Sequence, residues 1–136
     1  VPTYDGFQAA ATAIRMAARL TGRSEALIPR TIHPDKLSKI RDYCKPDIAI
    51  RRVDSDPQTG RLDLDSLREK ISEKTAVVYF DNPSYFGVIE SQGQAISNMA
   101  REHGAVSVVG VDPISLGVLA PPADYGADMA CGDINR

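Results

Sequence analysis

Short apolar segments alternate along this chain with longer amphipathic ones. The apolar segments cover 25–29, 48–53, 76–80, 106–111 and 128–131, and each has the length of a β-strand. The spacing of apolar residues predicts helices over 7–20, from 33–35 to 43, from 62–65 to 74, and over 92–102. Continuous apolar strands separated by helices are typical of a parallel sheet that is covered on both faces. We therefore predict a three-layer α/β fold with helices on both sides of the sheet.

The doubly covered sheet makes a specific prediction about solvent access. The two most apolar segments should be central strands, and their valines should then be nearly inaccessible on both faces. These valines are Val77, Val78, Val108, Val109 and Val111. Alternate exposure of these side chains would instead indicate a sheet with one face in water.

Composition narrows the class of protein. The chain has 136 residues, 43% of them hydrophobic and 25% charged, which suits a single domain over 1–136. A net charge of -2 gives no electrostatic reason to expect nucleic acid or an anionic membrane as partner. No apolar run reaches the roughly 20 residues of a membrane-spanning helix. Cys44 and Cys131 lie far apart, which favours reduced thiols in a cytoplasmic protein over a zinc site or a disulfide.

Polar residues follow the apolar segments at places where a ligand could bind. Asn82 comes after the third predicted strand and Asp112 directly after the fourth. His33 lies between the first strand and Pro34, where a ligand-facing ring and a helix-entry residue are equally compatible with the pattern. Ligands of open parallel sheets bind outside the carboxyl ends of the strands. We therefore predict a crevice that includes Asp112, His33 and Asn82, and no metal site.

The start of the first helix is a second candidate region. Tyr4-Asp5-Gly6 precedes an alanine-rich segment, and the free N–H groups of a helix start favour an anion. Asp5 itself supplies a negative charge there, so we expect it to cap the helix and to repel a phosphate. We interpret the lysines as partners in surface ion pairs on helices or helix ends; they stand at 36, 39, 45, 70 and 74.

Taken in order, these segments resemble the N-terminal half, or subunit 1, of the glycine cleavage system P-protein. The resemblance is carried by Tyr4-Asp5-Gly6, Ile32-His33-Pro34, the run from Asn82 to Glu90, the run from Asp112 to Gly117, Leu119-Ala120-Pro121-Pro122, Tyr125-Gly126-Ala127-Asp128 and Gly132-Asp133. It implies the large domain of fold type I pyridoxal-phosphate enzymes, which has a mostly parallel seven-stranded sheet. It also implies that Tyr4-Asp5-Gly6 occupies the phosphate-cup position and Asp112 the position of the pyridine partner.

The resemblance further implies a function for the whole enzyme. That function is the pyridoxal-phosphate-dependent oxidative decarboxylation of glycine, with transfer of the aminomethyl group to the lipoyl-bearing H-protein. No lysine follows Cys131, so a companion subunit is expected to carry the cofactor lysine, and this chain to bind no cofactor itself. Asp112 and His33 would then be either vestigial or part of a subunit interface.

Two other interpretations stay open at this point. The chain could be a fragment of another fold type I enzyme, such as an aminotransferase or a desulfurase relative, with its lysine beyond Arg136. It could also be a non-catalytic interaction domain. Because the chain starts at Val1 and stops soon after an apolar strand, we expect a piece of a longer protein. Apolar surface left bare by missing neighbours predicts a homo-oligomer for the isolated piece.

Overall fold

The chain folds around a five-stranded parallel sheet. A computed structural model describes residues 2–133. The strands are β1 (Glu25–Pro29), β2 (Ala49–Val53), β3 (Thr75–Asn82), β4 (Val106–Val111) and β5 (Met129–Gly132), in the spatial order β2-β1-β3-β4-β5. Every neighbouring pair is parallel, as the continuous apolar segments predict.

Four helices cover the two faces of the sheet. They are α1 (Gly6–Thr21), α2 (Pro34–Cys44), α3 (Leu64–Lys70) and α4 (Gly93–Glu102), and short 3-10 helices span Pro113–Gly117 and Pro122–Tyr125. One buried cluster joins α1 and α2 to the sheet through Tyr79 and Val108. The other joins α3 and α4 to the opposite face through Phe80 and Val109. The three-layer α/β architecture is therefore confirmed.

Small side chains let α1 lie close to the sheet. Ala10, Ala13 and Ala17 are between 0% and 7% exposed along the inner face of this 16-residue helix. Asp5 begins the helix by accepting the amide hydrogen of Gln8 at 2.8 Å. The helix ends at Gly22, whose φ of 68° lies in the left-handed region that glycine adopts without strain.

The predicted extent of α3 is wrong at its carboxyl end. The helix stops at Lys70 rather than at Lys74, and Ile71 already has an extended backbone. Local hydrogen bonds compete with further helix here, because the Ser72 amide donates to the Thr75 hydroxyl at 3.1 Å and the Thr75 amide donates back to Ser72. Ile71 nevertheless packs inward, as the helical spacing predicts.

Four of the five tested valines are fully buried, and the fifth is not. Val77, Val78, Val108 and Val109 are all 0% exposed. Val111 is only partly buried, so the prediction is wrong there. It is the last residue of β4, packs partly against the cluster of α3 and α4, and contributes to the wall of a cavity.

The strand order creates a crevice at one edge of the sheet. From β1 the chain passes through α2 outward to β2, whereas from β3 it passes through α4 toward β4 on the other side. The carboxyl ends of neighbouring strands are left open where the direction of winding reverses. Within residues 2–133, no helix is both long enough and apolar enough to cross a bilayer.

Candidate functional site

A cavity of about 390 Å³ opens at the carboxyl ends of β3, β4 and β5. Its walls come from the starts of α1 and α2, from the loop that follows β3, and from the ends of β4 and β5. Asp112 and His33 both contribute to its lining, together with Asp5, Lys36 and Asp81. Two of the three residues predicted for a crevice therefore lie around one space.

An ion pair forms the floor of this cavity. The ammonium Nζ of Lys36 lies 2.7 Å from Oδ1 of Asp81, and the two side chains are 14% and 15% exposed. The hydroxyl of Tyr79 donates to the same oxygen at 2.6 Å, and the Lys36 ammonium lies 5.4 Å from the centre of the Tyr79 ring. We call Lys36, Tyr79 and Asp81 the floor cluster. It combines a charge-assisted hydrogen bond from Lys36 to Asp81 with a cation–π contact between Lys36 and the Tyr79 ring.

The floor cluster rests directly on the backbone of β4. A Cβ added to Gly110 would lie 2.2 Å from both Asp81 Oδ1 and Tyr79 Oη, and 3.2 Å from Lys36 Nζ. No real side chain fits at such distances. The absence of a side chain at Gly110 therefore provides the space in which the three groups meet.

Burial keeps the two weak acids around the cluster uncharged. Burial first, and then the charge of Asp81, raise the pKa of Tyr79 well above its ordinary value. Burial raises the pKa of the Cys131 thiol to about 11, although the nearby Lys36 ammonium opposes the shift. Near neutral pH the phenol and the thiol are thus protonated.

His33 combines the two roles that its sequence position left open. Its Nδ1 accepts the amide hydrogen of Asp35 at 3.0 Å, so the side chain caps α2. Its ring also lies between Phe7 and Tyr85, with centroid distances of 5.3 and 4.5 Å, and forms part of the cavity wall. One histidine therefore starts a helix and connects α1 to the loop after β3.

Asp112 lies on the rim of the cavity, immediately after β4. Its carboxylate accepts the amide hydrogen of Ile114 at 3.0 Å and so caps the 3-10 helix that follows. Side chains alternate along a strand, so position 112 continues the side of the sheet on which Val108 and Gly110 face α1 and α2. This alternation explains why the carboxylate reaches the cavity.

Asn82 faces the other side of the sheet and is not among the residues that line this cavity. Its side chain is 7% exposed; it accepts the amide hydrogen of Glu90 at 3.0 Å and donates to the Glu90 carbonyl at 3.3 Å. It also donates to the hydroxyl of Tyr125 at 3.4 Å. Asn82 thereby closes the base of the loop 83–90, whose Tyr85 contacts His33.

Asp81 and Lys36 were missed by the sequence analysis. Interpreting Lys36 as a surface ion-pairing residue is wrong, because its side chain is 14% exposed and contributes to an internal wall. Two signals could have identified the pair. Asp81 has the same strand parity as the buried Tyr79, and Lys36 stands four residues before the buried Ile40, on the same face of α2.

Asp5 is the helix cap that the sequence predicts. Besides its bond to the Gln8 amide, its second carboxylate oxygen lies 3.7 Å from the ammonium of Lys39, and its side chain is 31% exposed. Asp5 also lines the cavity, so the capped amino end of α1 borders this space.

Related sequences match nearly the whole chain. It is 42% identical over 131 residues to a protein of Carboxydothermus hydrogenoformans named "Probable glycine dehydrogenase (decarboxylating) subunit 1". It is 37% identical over 131 residues to a protein of the same name from Thermoplasma volcanium. Each match covers 96% of this chain, but only 29% and 30% of the two relatives. The chain therefore spans less than a third of the length of these relatives.

Solved structures agree with the sequence matches. A glycine decarboxylase (P-protein) of the glycine cleavage system, crystallised in inhibitor-bound form, superposes with a TM-score of 0.87 at 34% identity. The match covers 96% of this chain and 29% of that one. A structure assigned as an O-acetylhomoserine (thiol)-lyase from Campylobacter jejuni, which carries N'-pyridoxyl-lysine-5'-monophosphate, matches with a TM-score of 0.75. At 21% identity, with 100% of this chain and 32% of that one covered, this likeness shows the fold alone.

The family follows from the extent of these matches. The model of the glycine cleavage system P-protein family matches residues 2–136. The parallel sheet, the aspartate-capped α1 and the carboxyl-edge cavity all lie within the matched region. This chain belongs to the glycine cleavage system P-protein family.

Proposed function

We propose that this chain is part of the subunit of a glycine-decarboxylating enzyme that does not carry the cofactor lysine. The whole enzyme would decarboxylate glycine oxidatively with pyridoxal phosphate and pass the aminomethyl group to a lipoyl-bearing H-protein. Family membership and the likeness to a solved glycine decarboxylase support this reaction over that of an aminotransferase or a desulfurase. They also favour it over a non-catalytic role as an interaction domain. Our assignment of the cofactor to a companion subunit rests on the carboxylate of Asp5 at the start of α1.

The residues around the cavity do not fit pyridoxal phosphate. A phosphate binds at a helix start through free backbone N–H groups and the positive end of the dipole. At α1, Asp5 already accepts one of these hydrogens and adds a negative charge beside the same space. Repulsion between a phosphate and a carboxylate is strong where water is partly excluded. The amino end of α1 is therefore neutralised by the chain itself.

Lys36 is not placed to act as a cofactor lysine. A lysine attacks a carbonyl carbon as a free amine, whereas the Lys36 ammonium is held against Asp81 at 2.7 Å. The other four lysines do not line the cavity. In our proposal a companion subunit carries pyridoxal phosphate on its own lysine, and this chain supports that shared site without covalent chemistry.

The cavity walls indicate what this chain would contribute. His33 fixes the start of α2 against Phe7 and Tyr85, and Asn82 fixes the base of the loop 83–90. Together with the rim residue Asp112 they give the carboxyl edge a defined shape. We propose that this edge faces the companion subunit, and that Asp112, His33 and Asn82 act by shaping the shared site. Two free cysteines, Cys44 and Cys131, support our proposal of a cytoplasmic location.

The test is a titration of the chain with pyridoxal phosphate, followed by absorbance and by borohydride trapping of adducts. We expect scattered labelling of exposed lysines such as Lys45 and Lys74, without a stoichiometric adduct at one position. A full-length subunit that contains this chain should release carbon dioxide from glycine only after the companion subunit is added. A stoichiometric adduct at Lys36, or activity without the companion, would contradict the proposal.

A further inference from the structure

The floor cluster has the composition of a binding site for an ammonium group. Among the ion pairs of residues 2–133, Lys36–Asp81 is the one in which both side chains are less than a fifth exposed. By contrast, Arg68 and Asp65 form a pair whose side chains are 63% and 85% exposed. A buried pair contributes through its fixed geometry, because an isolated buried charge is strongly unfavourable. Asp81 therefore requires a cation at this position.

Two groups around this position attract a cation. Asp81 offers a carboxylate, and Tyr79 orients it by donating to Oδ1 at 2.6 Å. The face of the Tyr79 ring adds a cation–π contact 5.4 Å from the ammonium. The bare backbone at Gly110 completes the space. A carboxylate, an aromatic face and the space beside Gly110 together suit a primary ammonium.

Lys36 supplies this cation from α2 on a flexible four-carbon stem. The cavity of about 390 Å³ leads to the same carboxylate from the carboxyl edge of the sheet. Two routes thus reach Asp81, one through the Lys36 side chain and one through the open cavity. We propose that Asp81 is a binding position for a primary ammonium ligand, and that Lys36 occupies it as an internal ligand and closes it to small amines.

This inference goes beyond the proposed function and does not depend on it. Its consequence for that function is specific, because the amine of an amino acid could not pair with Asp81 while Lys36 is in place. Asp81 would remain occupied by Lys36 even when the rest of the enzyme is assembled. Lys36 then determines which ligands this chain rejects.

The experiment removes Lys36 and offers the ammonium group from solution. In a Lys36→Ala protein, ethylammonium chloride at about 100 mM should raise the midpoint of thermal unfolding by about 3–5 °C relative to sodium chloride at equal ionic strength. The wild type should show no such shift, since its own ammonium fills the position. Tetramethylammonium has no N–H donor and should be ineffective in both proteins.

Two control variants separate this site from general salt effects. Lys36→Ala combined with Asp81→Asn should not respond to ethylammonium, because the carboxylate is gone. Lys74→Ala removes an exposed lysine and should behave as the wild type. An equal response of the wild type, or no response of a folded Lys36→Ala protein, would overturn the proposal.

A measurement on the wild type decides the matter if Lys36→Ala does not fold. Acetylation with trace acetic anhydride requires an accessible free amine, so Lys36 should react several-fold more slowly than Lys74. Ethylammonium should not change the rate at Lys36. Equal rates at the two lysines would show that Lys36 is not held against Asp81. The proposal that Lys36 acts as an internal ligand would then be wrong.

Discussion

Two adjacent residues of β3 show how differently the two faces of this sheet use polar side chains. Asp81 points toward α1 and α2 and forms an ion pair beside a cavity of about 390 Å³. Asn82 points the other way, and its side chain is held by two hydrogen bonds to the backbone of Glu90. One face keeps space for a ligand, and the other face fills its space with protein.

The buried carboxylates of the two faces are stabilised by different partners. Asp81 depends on a cation and a phenol. Glu90 is 8% exposed and accepts the amide hydrogen of Leu62 at 2.8 Å, together with both nitrogens of Gln92. Backbone donors are fixed by the fold, whereas a lysine side chain can be exchanged for a ligand. The cavity face is thus the adaptable one, and the loop face the structural one.

The largest expected effect comes from breaking the ion pair of the cavity face. Lys36→Met should lower the free energy of unfolding by about 3–5 kcal/mol, because Asp81 is left as a buried unpaired charge. Arg68→Met breaks the exposed pair with Asp65 and should lower the free energy of unfolding by no more than about 1 kcal/mol. Urea unfolding of both variants measures the contrast. Equal losses would show that the floor cluster is no more than another surface ion pair.

Removal of Asn82 should affect the opposite face and leave the cavity intact. Asn82→Ala leaves the buried amide and carbonyl of Glu90 without their partner, and we expect a loss of about 1–3 kcal/mol. Hydrogen exchange should become faster at Val88 and Glu90, in the loop that Asn82 anchors. The acetylation rate of Lys36 should stay unchanged. A faster rate at Lys36 would mean that the two faces are coupled.

Truncation of a buried valine should lower the free energy of unfolding by similar amounts in the two apolar layers, in contrast to changes at the polar residues. Val108 and Val109 are both fully buried, on opposite faces of β4. Truncation of either to alanine should cost about 1–3 kcal/mol through lost burial and the cavity left behind. Chemical denaturation of the two variants under identical conditions compares the layers. A negligible loss at one valine would show that its face is poorly packed.

A smaller effect is expected at high pH on the cavity face. The folded protein holds the pKa of the Cys131 thiol at about 11, above its ordinary value of 9.0, because the thiol is buried. The unfolded chain then loses its proton first as pH rises, so stability is complete below pH 9 and falls between pH 9 and 11. At pH 10 the loss from this group is about 1 kcal/mol. Cys131→Ala should reduce the decline, and an unchanged decline would contradict this origin.

The weakest effect concerns association of the isolated chain. Phe86, Ile114 and Val118 are 70%, 68% and 88% exposed on the loops after β3 and β4. Exposed apolar side chains favour contact between copies, and we expect homodimers or larger oligomers at high concentration. Sedimentation velocity over a range of concentrations measures this. A strict monomer at high concentration would contradict the expected association.

The sequence predicts the layers of this molecule better than it predicts the direction of single side chains. Strand β4 has the predicted limits, and α1 begins and ends within one residue of them, because apolar runs and the Gly22 stop are local signals. The end of α3 depends on a hydrogen-bonded turn at Ser72 and Thr75, which helical spacing does not reveal. The candidate site depends on contacts that are distant in sequence.

The candidate residues illustrate this limit. Asp112 and His33 follow strands at an edge that topology alone exposes, and both line the cavity. Asn82 also follows the apolar core of a strand, but strand parity places its side chain on the other face. The pair of Lys36 and Asp81 joins residues that are 45 positions apart, so no local pattern contains it. Only the alternation of side chains along β3, combined with the helical spacing along α2, predicts that these two residues lie on facing surfaces.

Gly110 also has a consequence for the evolution of this site. The space above its Cα is filled by the floor cluster, so a side chain at position 110 requires Asp81 and Tyr79 to move. The three residues and the glycine should therefore vary as a unit among P-protein relatives. Relatives with alanine or serine at this position should lack Lys36 or Asp81, and their cavities would then be free to admit an amine. The residue at position 110 would thus indicate, for each relative, whether the crevice is closed or open to an amine.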